Sequence, residues 1–534
     1  MTAPGDWWRR GIVYQVFPLT FRDASGDGIG DLPGVTERLG YLASLGVAAI
    51  WLSPIYPSPL LDFGYDVADY QDVDPRFGTL EDFDRLVGEA HRRGLRVILD
   101  FVPNHTSDQH PWFVESRSSR DNPKRDWYIW RDPRPDGEPP NNWVSYVGSA
   151  WTYDPPTGQS YFHQFRAEQP ELNYGNRAVL EAMLDVLRFW LDRGVDGFRI
   201  DVVPLLAKDP EFGDEPPNPA YRDGDFLWQR NLHTGTADLP AVHDIIRAFR
   251  SVVDGYGDGV LIGELDPIPN LMRYYGAGLD ECHLPFNFTF VNGLPWTARD
   301  VGAAVDAYDA AIPPGAWPNW VLGSHDRRRL TARLGSARAR VATMLVLTLR
   351  GTPFCYYGDE LGMRHADLAP ERNRDRHGFA DPVMAARFSR DPFRAPMQWD
   401  SSPNAGFCPA SVEPWLPLGR DWQTLNVATE SADPRSMLAL FRALARLRSE
   451  HEALASGSYR TIEAGEAILA YERRAGSDRL VAALNFTSGS ATIDLSRVAP
   501  AGRVVLSTAL DRTGQEALGS LTLRPDEGIV VDAP

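Results

Sequence analysis

The sequence predicts an α/β protein built on a (β/α)8 barrel, with a small domain inserted after the third strand and an all-β domain at its C-terminal end. Three observations predict it. Eight short apolar runs recur along the chain, each followed by a segment of helical periodicity; a long aperiodic stretch interrupts the third repeat; and after about residue 455 the texture changes to short strands and turns. A chain of 534 residues is also too long for one hydrophobic core. The divisions expected are barrel segments 1–103 and 176–454, an inserted domain 104–175, and a C-terminal β-sandwich 455–534.

The strand candidates are 12–17, 47–54, 96–102, 197–203, 260–265, 281–286, 320–326 and 353–360. Their Val, Ile, Leu and aromatic content suits strands buried on both faces, as in a parallel sheet. Between them, "LPGVTERLGYLASLG" (32–46), "TLEDFDRLVGEAHRRG" (79–94) and "NRAVLEAMLDVLRFWLDRG" (176–194) carry apolar residues at helical spacing and each stops at Gly. Repeated strand–helix units need right-handed crossovers, and eight of them close a barrel. The stretch 104–175 is dense in Trp, Pro, Asn and Asp; a structureless loop that long does not suit a compact domain, so it reads as a small domain over the barrel mouth.

Composition narrows the partners. A net charge of −18 with both signs interspersed disfavours nucleic acid and anionic membranes. No stretch approaches the roughly 18 apolar residues of a membrane span, and the start lacks the order of a secretory signal. The expectation is a cytoplasmic monomer or small homo-oligomer without organic cofactor. Cys282, Cys355 and Cys408 are few, odd in number and far apart, as buried unpaired thiols are in a reducing compartment.

Reactive groups of a barrel enzyme sit where the strands end. Those positions here are Asp100, Asp201, Glu264, His325 and Asp326. One Asp at a strand end is commonly a helix cap, but four carboxylates at one mouth repel unless chemistry uses them. Without a Gly-rich phosphate loop or a Cys/His set, the cluster suits glycoside hydrolysis, one carboxylate attacking and a protonated one donating to the leaving oxygen. A divalent-cation site is the alternative that the carboxylates leave open. A second acidic stretch, "DASGDGIGDL" from Asp23 to Leu32, begins like an EF-hand, but its twelfth position is Gly34 instead of Glu. It is either an ion loop of another kind or an Asp/Gly turn.

These stretches resemble the signature regions of the α-amylase family, glycoside hydrolase family thirteen. "DFVPNH" (100–105), "GFRIDVV" (197–203), "GELD" (263–266) and "LGSHD" (322–326) stand in the family's order, with "GYDVADY" (64–70), "QPELN" (169–173), "GTPFCYYGDE" (351–360) and "RAPMQWD" (394–400) beside them. The resemblance covers nearly the whole chain and is nearest to the α-glucosidase and oligo-1,6-glucosidase branch. It implies Asp201 as nucleophile, Glu264 as acid/base and Asp326 as the residue that grips sugar hydroxyls, with the α-anomer retained through a covalent glucosyl-Asp intermediate. It also implies that Arg199 keeps Asp201 ionised, that His105 and His325 donate to the glucose, and that Tyr65 offers it a stacking face. Asp62 and Arg394 match the pair that closes an exo-acting pocket. Val202 matches the residue that goes with α-1,4 preference, hence maltose-type substrates.

The same intermediate would serve an α-glucosyltransferase or a maltose–trehalose isomerase, and oligo-1,6-glucosidase or sucrose-hydrolase specificity is a further alternative. Ser324, Glu171 and Ala395 depart from the family's usual Asn, Asp and Thr, and "HDRRRL" is unlike its commoner "HDQPR". These departures concern the leaving-group side. For the aspartate loop the resemblance implies a structural Ca2+ or Mg2+ held by Asp23, Asp27, Asp31 and the Ile29 carbonyl, with Ser25 where Asn is common.

Overall fold

A computed structural model describes residues 6–265, 271–375, 385, 388–496, 498, 502–517 and 519–533. Its central sheet has eight parallel strands: Val13–Val16, Ala49–Leu52, Arg96–Phe101, Gly197–Ile200, Val260–Gly263, Leu284–Pro285, Asn319–Val321 and Thr352–Tyr356. They fall on the eight expected runs and are shorter than each, the seventh and eighth starting one residue earlier than expected. The first strand lies between the second and the eighth, with Val13 opposite both Ala49 and Phe354. No backbone ladder joins the sixth strand to the seventh among the described residues. An asparagine bridges that seam instead: Asn319 Nδ2 donates to the Pro285 carbonyl at 2.6 Å, and its Oδ1 accepts from the Asn287 amide at 3.0 Å. Pro285 has no N–H to give a ladder, so a side chain completes the closure.

Side chains alternate along each strand. Val13, Ala49, Trp51, Ile98, Val260, Ile262, Leu284, Val321 and Phe354 meet in one buried cluster inside the barrel, while Tyr14, Ile50, Leu52, Val97, Leu99 and Phe198 pack outward on the helices. Two residues further along the inward row the chemistry changes, from Val13 to Gln15, from Ile98 to Asp100 and from Gly197 to Arg199. The apolar floor thus becomes a polar mouth by strand periodicity alone.

The helix Leu80–Arg92 starts with a capping box between Thr79 and Asp82. Arg177–Asp192 is capped by Asn176 and buries Val179, Met183, Leu187 and Trp190. The expected helix over 32–46 is two shorter ones, Leu32–Glu37 and Leu39–Ser44, because Arg38 leaves helical geometry at φ −100°, ψ 3°. The inserted stretch folds into the helix Pro111–Ser118 and a three-stranded antiparallel sheet, Trp130–Arg131, Gln159–Phe162 and Trp151–Asp154. It leaves and re-enters the barrel side by side, where His105 bridges to Glu171. Beyond Ser458 a six-stranded antiparallel sheet and a two-stranded one close on Ile468, Val481, Ile493, Leu521 and Val531, all-β as expected.

Behind the eighth strand, Glu360 is buried and accepts from the Tyr14 and Tyr41 hydroxyls on one oxygen, at 2.8 and 2.6 Å. Burial pushes its carboxyl up to about 7. A raised folded-state value makes a stabilising contribution that is full below the unfolded value near 4.5 and is lost as pH rises through about 7. Glu360→Gln therefore flattens the fall in Tm between about pH 5 and 7.5, worth on the order of 3 kcal/mol; an unchanged slope in calorimetry refutes this.

Candidate active site

The mouth is organised around one guanidinium. Arg199 of the fourth strand pairs in register with Asp100 of the third, and burial leaves it 1% exposed. Its Nη1 donates to Asp100 Oδ1 at 2.6 Å and to Asp201 Oδ1 at 2.8 Å, and its Nη2 lies 2.5 Å from Glu264 Oε2. Asp100 accepts on its other oxygen from Tyr65 Oη at 2.9 Å and Trp51 Nε1 at 3.1 Å. Asp100 is thus spent on structure, while Asp201 and Glu264 each keep one oxygen without a hydrogen bond among the described residues.

Three carboxylates share one cation. Burial pushes Asp201 well above the ordinary carboxylate range, and Glu264 and Asp100 add to this while Arg199 pulls against them. Burial likewise raises Asp100 to about 6 despite Arg199. Arg199 therefore only partly offsets burial at Asp201 and Asp100.

A second cluster stands on the far side. Asp326 Oδ1 accepts from Arg390 Nη1 and Arg394 Nη2, each at 2.8 Å, and its Oδ2 lies 3.0 Å from His325 Nε2. Arg390 also donates to Asp62 Oδ1 at 2.6 Å and Asp375 Oδ2 at 2.7 Å. Burial opposes the charge on Asp326, but Arg390 and Arg394 outweigh it and hold its carboxyl far below the usual range. Asp62 follows the same balance, with Arg390 outweighing burial.

His325 is buried against Gln15, whose Nε2 lies 2.8 Å from Nδ1, and burial pushes the ring down to about 3. With Gln15 donating to Nδ1, the neutral ring carries its proton on Nε2, which has no aligned hydrogen-bond partner among the described residues and is left to donate into the site. His105 is also held neutral, down to about 4 by burial, beside the Tyr65 carbonyl and Gln169. Tyr65 stacks on His325 at 5.2 Å and 3°, so one of its two faces is already covered.

The structure brings Asp62, Tyr65, His105, Arg199, Asp201, Val202, Glu264, His325, Asp326 and Arg394 into one mouth, and it corrects one pairing. Asp62 and Arg394 were expected to face each other; Asp62 is instead gripped by Arg390, and Arg394 reaches Asp326 and the His325 carbonyl. Arg390 lies four residues before Arg394 on the same segment, so two arginines competed for one role and sequence position could not rank them. Gln15, Gln169 and Asp375 were also missed as site residues. Glu171, the departure from Asp, pairs with buried Lys208 at 2.6 Å and so ties the inserted stretch to the loop after Asp201. Asp266 of "GELD" lies outside the described residues. The rings of Phe165, Tyr146, Trp228 and His233 form a near-parallel column with centroid spacings of 5.2, 5.8 and 3.8 Å.

The aspartate loop spends its oxygens on itself. Asp23 accepts from Gly26 and Gly28 amides at 2.5 and 2.8 Å, Asp31 from Ser25 and Gly34 at 2.8 and 2.7 Å, and Asp27 from Ile29 at 2.8 Å. Asp31 thereby caps the helix Leu32–Glu37. All its donors are oxygens, as a hard cation requires, yet no three acidic, His or Cys side chains converge among the described residues. As arranged, Asp23 and Asp31 spend their oxygens on amides, and exposed Asp27 would have to turn inward to complete an ion site.

Comparison with known proteins agrees with this architecture. The Alpha amylase, catalytic domain family matches residues 15–457. An alpha-glucosidase of Apis mellifera is 41% identical over 494 residues, 91% of this chain and 86% of its own. An oligo-1,6-glucosidase of Heyndrickxia coagulans is 36% identical over 530 residues, 92% and 94% of the two chains. The crystal structure of an alpha-glucosyl transfer enzyme, XgtA, superposes with a TM-score of 0.89 at 36% identity, covering 100% of both chains. The chain therefore belongs to the alpha-amylase family and is a glycoside hydrolase of its α-glucosidase and oligo-1,6-glucosidase branch.

Proposed function

We propose that the protein is a retaining, exo-acting α-glucosidase that releases glucose from short α-glucosides, with maltose-type α-1,4 linkages preferred. The observation that carries this reading is the sharing of the Arg199 guanidinium between Asp201 and Glu264, at 2.8 and 2.5 Å. Two carboxylates tied to one fork suit the separation of about 5–5.5 Å found in retaining enzymes better than the wider gap that admits a water. Arg199 occupies Oδ1 of Asp201, leaving Oδ2 to attack the anomeric carbon. Glu264 gives its proton to the departing oxygen and later takes one from water. Asp326, kept ionised by its arginines, accepts from sugar hydroxyls, and the ties from Asp62 to Arg390 and on to Asp326 close the pocket beyond the terminal glucose.

A second reading keeps the intermediate and lets another sugar or alcohol intercept it. The likeness to a glucosyl transfer enzyme favours it. NMR of maltose digests decides between them: the expected product is glucose, first released as the α-anomer, and trehalose or new disaccharides as the main product would overturn hydrolysis.

We also propose that the loop 23–31 binds Ca2+ or Mg2+ when Asp27 turns inward, as a staple remote from the chemistry. Millimolar Ca2+ then raises Tm by a few degrees, and chelation reverses this without changing turnover at temperatures where the fold persists. A Tm indifferent to both means the turn is held by its amides alone.

A further inference from the structure

The residue after the nucleophile is bent against its own preference. Val202 has φ 37° and ψ 47°, in the left-handed region, which a β-branched side chain occupies only where its surroundings enforce it. The bend turns the chain from Asp201, whose amide is tied to the Phe101 carbonyl at 2.8 Å, into the short helix Val203–Leu205. It also aims the Val202 amide at Glu264 Oε2, 3.2 Å away. Arg199 Nη2 approaches the same oxygen at 2.5 Å. No hydrogen bond reaches Oε1 among the described residues. A proton on Oε2 would meet two N–H groups, so that oxygen can only accept.

We infer that the strained amide of Val202 is a positioning group for Glu264, fixing Oε2 as the accepting oxygen and placing the transferable proton on Oε1. The inference rests on the proposed acid/base role of Glu264. In the first step Asp201 Oδ2 forms the bond to the anomeric carbon as the bond to the leaving oxygen breaks, and the Oε1 proton passes to that oxygen. The negative charge that appears on Glu264 falls on a carboxylate already held by Arg199 and the Val202 amide. A hydrogen bond to a group that gains charge strengthens in the transition state, so it acts on kcat. The other groups facing Glu264 are Asp100, Asp201, Arg327 and Tyr146.

The test removes the amide and keeps the side chain. Valine at 202 is replaced by its α-hydroxy acid through nonsense suppression, which turns the N–H into an ester oxygen. Turnover is measured on maltose, whose leaving group needs the proton, and on α-glucosyl fluoride, whose leaving group needs little. The expected result is a loss of about tenfold in kcat on maltose with KM and fluoride turnover within about twofold. Equal loss on both substrates would indicate general damage and overturn the inference, as would full turnover of maltose. Val202→Gly keeps the N–H and accepts positive φ, so the dependence of kcat on leaving-group pKa across a series of aryl α-glucosides stays that of the parent even though loss of the side chain changes maltose KM; a steeper dependence there would assign the effect to the side chain instead. Glu264→Gln is the control, because unimpaired maltose turnover in it would overturn the acid/base reading itself.

Discussion

Asp201→Asn lowers turnover of an aryl α-glucoside by on the order of 10^4-fold or more, because an amide cannot form the glucosyl ester and the remaining groups supply only binding and acid assistance. The variant keeps its fold. Asp201 is raised by burial and by its carboxylate neighbours, so its contribution to stability is full below the ordinary value near 3.8 and falls as pH rises through the folded one. Asn carries no such dependence, and its Tm at pH 7 equals or exceeds that of the parent. Calorimetry and single-turnover kinetics together check this. A stable variant with full turnover would refute the nucleophile; an unfolded one would refute the electrostatic argument.

Arg199→Lys is the next largest effect. A guanidinium fork reaches Asp100, Asp201 and Glu264 from two nitrogens, whereas one ammonium is a point charge that cannot keep three carboxylates in those directions. Breaking a buried pair of this kind costs about 3–5 kcal/mol where a charge is left uncompensated. Lysine keeps the charge, so the expected stability loss is smaller, a few degrees in Tm. Activity suffers more, by on the order of 10^2- to 10^3-fold in kcat/KM, since both reacting carboxylates lose their orientation at once. Parent-like kinetics in Arg199→Lys would show that charge alone, without the fork, orients the site.

The barrel was legible because buried parallel strands are written as apolar runs, and the reacting carboxylates because strand ends fix which residues face the mouth. Asp201 and Glu264 follow Ile200 and Gly263 directly. What was not legible depends on side chains meeting across long separations. Arg390 and Asp62 are 328 residues apart, and nothing local distinguishes Arg390 from Arg394. The Asn319 bridge is equally silent in sequence, since an Asn at a strand start is ordinarily a turn residue. The aspartate loop shows the opposite failure: its spacing suggests ligands, but the same short side chains satisfy nearby amides first.

The pairing of Val13 with both Ala49 and Phe354 has a consequence for biosynthesis. During translation the first strand can join the second as soon as residue 52 has emerged, but its other edge stays unsheltered until residues near 354 follow, roughly 15–60 s later at about 5–20 residues per second. Tyr14 waits equally long for Glu360. A bare edge of apolar sequence is where nascent chains stick to one another, so this protein's exposure to chaperones on the ribosome is set by the arrival of its eighth strand.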